Sequence, residues 1–135
     1  MDTLQFTFFA IIACGAAALV YILIAKPTIG NPALAAVLSG GFFAYTAVQI
    51  WHEGIIMFWS NHSANLTGIQ VWWDLVMCVM IALFFIAPRA RKVGMNVPLW
   101  ALFVGCTASI GLLAMCARLF WLEKAAYSAA QPAAA

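Results

Sequence analysis

Long apolar stretches separated by short polar punctuation set the pattern of this chain. Four stretches read as helices: Leu4 to Ala25, about Pro32 to Trp59, about Gly68 to Ala87, and about Pro98 to Leu122. Each is long enough to cross a bilayer, which takes about 20 mostly apolar residues. Lys26-Pro27 closes the first helix. Asn31 caps the second, and Pro32 fits its first helical position. The polar run Ser60 to Leu66 reads as a loop. Thr67-Gly68-Ile69-Gln70 has capping-box spacing, so Thr67 opens the third helix. Pro88 ends that helix, Arg89 to Asn96 forms a basic loop, and Pro98 starts the fourth. The expected architecture is all-α: a polytopic membrane protein with four transmembrane helices in one bundle over 1–127. A disordered Ala-rich tail is expected over 128–135.

Composition agrees with a membrane protein. The chain is 67% hydrophobic and 7% charged, whereas soluble domains are about half apolar. A net charge of +2 without a basic run argues against nucleic acid as a partner. Cys14, Cys78, Cys106 and Cys116 all fall in the expected spans with no CxxC pair, so they read as small apolar side chains. The first span has Asp2 ahead of it, no Lys or Arg, and no small-residue cleavage site, so it reads as a helix and not a signal peptide.

The basic residues set an orientation. Lys26, Arg89, Arg91 and Lys92 share one side, while the other holds Lys124 and the helix-end Arg118. The excess predicts both termini outside the cytoplasm, in a bacterial inner membrane. Trp51, Trp59, Trp72, Trp73 and Trp121 then gather at the outer boundary as an interfacial belt. Ala36-Gly40-Ala44 and Ala101-Gly105-Ser109 repeat small residues every fourth position, which lets membrane helices pack closely.

The few charges inside apolar stretches carry the candidate chemistry. Glu53 and Asp74 lie within the second and third expected spans, with His52 beside the first of them. An ionisable group in hydrocarbon is costly and normally faces a bundle interior or a partner. On the expected boundaries, Glu53 and Asp74 both lie roughly 10 Å below the outer ends of their helices, and Arg118 about one turn below. Tyr45, Gln49, His52, Glu53 and Ile56 share one helical face, and Gln70, Asp74, Met77 and Cys78 share another. Thr107, Gly111, Ala114 and Arg118 form a third. Tyr45, Gln49, His52, Glu53, Gln70, Trp73, Asp74 and Arg118 are therefore the candidate ligand-binding residues. Glu53, Asp74 and His52 are the catalytic set if the protein is an enzyme. The competing reading is a structural network, with Arg118 paired to a carboxylate and Gln49 bonded to Glu53. No metal ligand set is expected, since no HExxH spacing occurs and His62 falls in a loop. GxSxG, P-loop and dinucleotide patterns are missing from the sequence, and the identity of any cofactor is unknown from it.

Gln70-Val71-Trp72-Trp73-Asp74-Leu75, the basic Arg89-Ala90-Arg91-Lys92 turn, Pro98-Leu99-Trp100, Ser109-Ile110-Gly111-Leu112-Leu113 and Arg118 follow one another in order. Over Val48 to Arg118 the chain resembles the DUF2834 family of small bacterial membrane proteins, a domain of unknown function that brings no activity with it. Pro88 stands where that family has a polar or acidic residue. The order of an Asp in a span, a basic turn and a Gly–Leu-rich helix is also similar to the ABA4-like proteins linked to carotenoid conversion. Gln49-x-x-x-Glu53-Gly54 stands where the sterol-isomerase (emopamil-binding protein) group has His-x-x-x-Glu-Gly. Those resemblances imply a four-helix membrane protein with buried acids.

Three functions compete. The first is a membrane protein that binds a lipophilic molecule (isoprenoid, pigment or quinone) or serves as an accessory subunit of a membrane complex or homo-oligomer. The second is an isomerase or cyclase of an isoprenoid lipid. There a protonated Glu53 or Asp74 donates a proton, the other carboxylate or His52 removes one, and Trp51, Trp72 or Trp73 stabilises a carbocation. The third, a transporter or proton path, ranks last because no discontinuous helix is signalled.

Overall fold

The computed structural model describes residues 2–25 and 28–130, so the Lys26-Pro27 helix stop lies outside the described residues. Every regular element among the described residues is helical: α1 (Thr3–Ala25), α2 (Pro32–Glu53), α3 (Ile56–Ser63), α4 (Leu66–Lys92), α5 (Val97–Thr107) and α6 (Ser109–Ala130). Three of these, α1, α2 and α4, are long and apolar enough to cross a membrane. The chain divides into two units, Met1–Gly30 and Asn31–Ala135. The first is essentially α1, a helix of 23 residues with no Asp, Glu, Lys or Arg.

In the second unit, α2 packs along α6, while α4 packs on α3, α5 and α6. Asn31 caps α2 as its sequence implies: its side-chain oxygen accepts from the N–H groups of Ala33 and Leu34. The helix ends earlier than expected, at Glu53. Gly54 there takes φ 81° and ψ 160°, a conformation open essentially to glycine alone. The expected loop after Trp59 is instead mostly the short helix α3. Asn65, not Thr67, caps α4, accepting from the Gly68 N–H at 2.8 Å.

Pro88 does not stop α4, which runs through it to Lys92. Proline removes one helical hydrogen bond, but the next turn is well anchored. Ala90 is fully buried, and Arg89, Arg91 and Lys92 stand at the negative end of the helix dipole. The end is a Schellman motif. Gly94 has φ 75°, Met95 N–H donates to Ala90 C=O at 3.0 Å, and Gly94 N–H to Arg91 C=O at 3.1 Å. Buried Met95 and Ala90 supply the apolar contact that accompanies this motif. Asn96 then caps α5 through the Leu99 N–H.

The fourth expected span is two helices. The backbone breaks at Ala108, with φ 48° and ψ −119°, and the chain reverses. A Cβ on Gly111 would stand 2.9 Å from Val104 Cα and 3.0 Å from the Phe103 carbonyl oxygen. In an unbroken helix residues 104 and 111 would be about 10 Å apart. The hairpin is held from inside by a core of Ala90, Met95, Val97, Val104, Met115 and Leu119. From α2, the Ser39 hydroxyl donates to the Ile110 carbonyl at 2.9 Å. With 11 residues, α5 reaches about 16 Å, roughly half of a hydrocarbon core. Ser128, Ala129 and Ala130, expected in the tail, continue α6, and 131–135 lie outside the described residues.

Candidate functional site

The α2 cluster sits where Gly54 stops the helix. His52 and Glu53 occupy the last turn and are exposed. The Gln49 side-chain amide donates to Glu53 at 3.3 Å, a turn away. Gln49 Oε1 is buried and has no hydrogen-bond partner. Tyr45 lies one turn earlier on that face, about half exposed. Ile56, expected to extend the face, belongs to α3 instead.

The α4 cluster begins at a tight helix contact. A Cβ on Gly68 would stand 2.6 Å from the Asn61 carbonyl oxygen, so glycine allows α3 to lie against the start of α4. His62 is used locally: Nδ1 donates to the Phe58 carbonyl at 2.7 Å, and the ring lies 5.6 Å from that of Trp72. Gln70, Trp73 and Asp74, with Leu66, Ile69 and Met77, line a shallow depression of about 350 Å³. All six residues belong to one helix, so the depression is open.

Arg118 is elsewhere. Its guanidinium carbon lies 4.5 Å from the centre of the Trp121 ring, a cation–π contact. Five residues further along α6, Glu123 takes Arg89 in a two-point clamp, with Nε donating to Oε1 at 2.9 Å and Nη2 to Oε2 at 2.6 Å. Asp74 precedes Arg89 by 15 residues of α4, about 22 Å. Arg118 thus stands toward the basic end of α4, and Asp74 toward the other.

The expectation of buried carboxylates is corrected: no charged residue among the described ones is buried, and Ser39 is the buried polar side chain. The reason is local. The α4 residues that turn inward are Val79, Leu83, Ile86 and Ala87, and Asp74 falls outside that stripe. Among the described residues the ion pair is Arg89–Glu123, and neither Glu53 nor Asp74 has one. General acid–base work needs both groups within about 3 Å of one substrate; Glu53 at the end of α2 and Asp74 on α4 are each exposed. No group of three His, Cys, Asp or Glu side chains among the described residues is placed to hold a metal.

Two features escaped the sequence reading. Arg89 and Glu123 are 34 residues apart and no local pattern links them. The reversal at Ala108 has one sequence signal, Gly111 in the middle of an apolar run, since an interior glycine can mark close backbone approach. No family model matches the chain, nor does a curated protein or a solved structure.

Proposed function

We propose that the chain is a small integral membrane protein acting as an accessory subunit of a membrane complex. One observation carries this reading. Asp74 is exposed on a helix of apolar composition long enough to cross a bilayer. Facing lipid there, an ionisable group costs about 3 kcal/mol near the bilayer centre, and less toward the interface. A neighbouring chain that covers it with hydrogen-bonding groups removes that penalty. Exposed Glu53 adds to the argument. The lipophilic-ligand reading has the open depression beside Asp74 in its favour. The isomerase reading has less support than either, because Glu53 and Asp74 are both exposed, whereas a buried carboxyl suits an acid role, and the transporter reading stays last.

The proposed membrane architecture has three crossings and a re-entrant hairpin in place of a fourth crossing. The excess of Arg and Lys puts the Arg89–Lys92 end in the cytoplasm of a bacterial inner membrane. From there α5 dips to about mid-depth and α6 returns. This brings Arg118, Trp121, Glu123 and Lys124 back to the interface, where charged and indole groups are favoured. The N-terminus stays outside, as the charge pattern implies. The C-terminal end of α6 is cytoplasmic, which differs from the sequence expectation.

The test is extraction from the native membrane in mild detergent, followed by native electrophoresis and mass spectrometry. Migration in a complex larger than one chain, lost in the Glu53→Leu/Asp74→Leu double variant, is the expected result. A single chain carrying only bulk phospholipid would overturn the proposal. A single chain carrying a stoichiometric isoprenoid, pigment or quinone would transfer the support to the ligand reading.

A further inference from the structure

We propose that the partner at α4 is a second copy of this chain, joined through Gln70, Asp74, Met77, Ile81 and Phe84. These residues recur at intervals of four, three, four and three, and all are exposed. That is the 3.5-residue period of a coiled-coil seam, the geometry most membrane helix pairs adopt. The seam lies opposite the chain's own packing, since Val79, Leu83 and Ile86 turn toward the core. It is therefore a second contact face, left open by the packing of α2 to α6.

The chemistry of the seam is complementary to itself. Gln70 and Asp74 stand one turn apart, an amide donor and a carboxyl acceptor. Neither is hydrogen-bonded to another side chain among the described residues. Copies inserted in the same bilayer share one orientation, so a symmetric pair places its α4 helices parallel about a two-fold axis along the membrane normal. Asp74 then faces its own copy across the axis, with the other chain's Gln70 one turn away, and each amide donates to the carboxyl of the other chain. One contact type is made twice, and the polar groups that lipid cannot satisfy are covered together. Below them Met77, Ile81 and Phe84 supply an apolar seam with no charge.

This inference rests on the subunit reading above, and its test separates the two. All four cysteines are replaced by serine, and single cysteines are introduced by Met77→Cys or Ile81→Cys on the seam. Val76→Cys, exposed off the seam, serves as the control. Oxidation in native membranes with copper phenanthroline should link Met77→Cys and Ile81→Cys chains into dimers at least ten-fold more than Val76→Cys chains. Adding Asp74→Leu or Gln70→Leu should lower that yield at least ten-fold with helix content unchanged by circular dichroism, whereas Asp74→Asn should retain it. Equal linking at Val76→Cys, or linking undiminished by Asp74→Leu, would overturn the proposal. A large native complex without Met77→Cys dimers would sink the self-association alone. A lone chain in both assays would sink the subunit reading as well.

Discussion

Gly111 on α6 lies against Val104 on α5 so closely that one added methyl group would stand 2.9 Å from the Val104 Cα. The same methyl would meet Thr107 Oγ1 at 2.5 Å. The hydroxyl can rotate away, but the backbone cannot. Gly111→Ala should therefore destabilise the hairpin by about 1–3 kcal/mol, the usual range for overpacking a tight site. Gly105→Ala is the control, because nothing lies within 4 Å of a Cβ there, and alanine in an exposed helix should add about 0.5–1 kcal/mol. Opposite shifts of the unfolding midpoint in mixed micelles are expected. Equal shifts would mean the two helices do not touch at Gly111.

The turn itself gives a second prediction. Ala108 has φ 48° and ψ −119°, a backbone region where a Cβ is crowded and a strained residue costs about 1–3 kcal/mol. Ala108→Gly should raise stability by about 1 kcal/mol, and Ala108→Val should lower it by at least as much. The same denaturation assay measures both. A destabilising Ala108→Gly would indicate an unbroken helix at this point, where glycine is the poorer residue.

How far the sequence predicts this fold depends on the range of the forces involved. The Asn31 cap was legible because an Asn-Pro pair acts on the adjacent N–H groups alone. Helix existence was legible too, since long apolar runs allow little else. The Gly54 stop was missed because glycine within an apolar helix is tolerated in many contexts. Pro88 misled for the converse reason: a proline normally ends a helix, but here the Gly94 Schellman turn and the buried Ala90 extend it. The candidate site followed the same rule. The Gln49–Glu53 bond, one turn apart, was expected and is present. The depth given to Arg118 assumed that α5 and α6 were one helix, and the reversal at Ala108 moves it to the basic end.

The Arg89–Glu123 clamp should be measurable by a double-mutant cycle. Arg89 is partly exposed, with 44% of its side chain accessible against 17% for Glu123. Exposed pairs are typically worth about 0.2–1 kcal/mol, and two aligned hydrogen bonds place this one near the upper end. Arg89→Ala, Glu123→Ala and the double variant should give a coupling of about 1 kcal/mol. That coupling should shrink as salt is raised, since part of the pair is open to solvent. A coupling indistinguishable from zero at low salt would mean the α4–α6 contact is held by the apolar core alone.

The last prediction concerns which side of the membrane the end of α6 occupies. A continuous helix from Pro98 to Leu122 would carry the following residues across the bilayer, away from the Arg89–Lys92 turn. The reversal at Ala108 and the Glu123–Arg89 bond require the opposite, because they hold α6 beside the end of α4. Single cysteines at Arg91→Cys, Ser128→Cys and Asn61→Cys in a cysteine-free background discriminate the two. A membrane-impermeant maleimide applied to inside-out vesicles should label Arg91→Cys and Ser128→Cys together, and to right-side-out vesicles Asn61→Cys alone. Labelling of Ser128→Cys with Asn61→Cys would mean that the hairpin opens into a full crossing in the bilayer. In that case Arg118 would return to the side of Glu53 and Asp74.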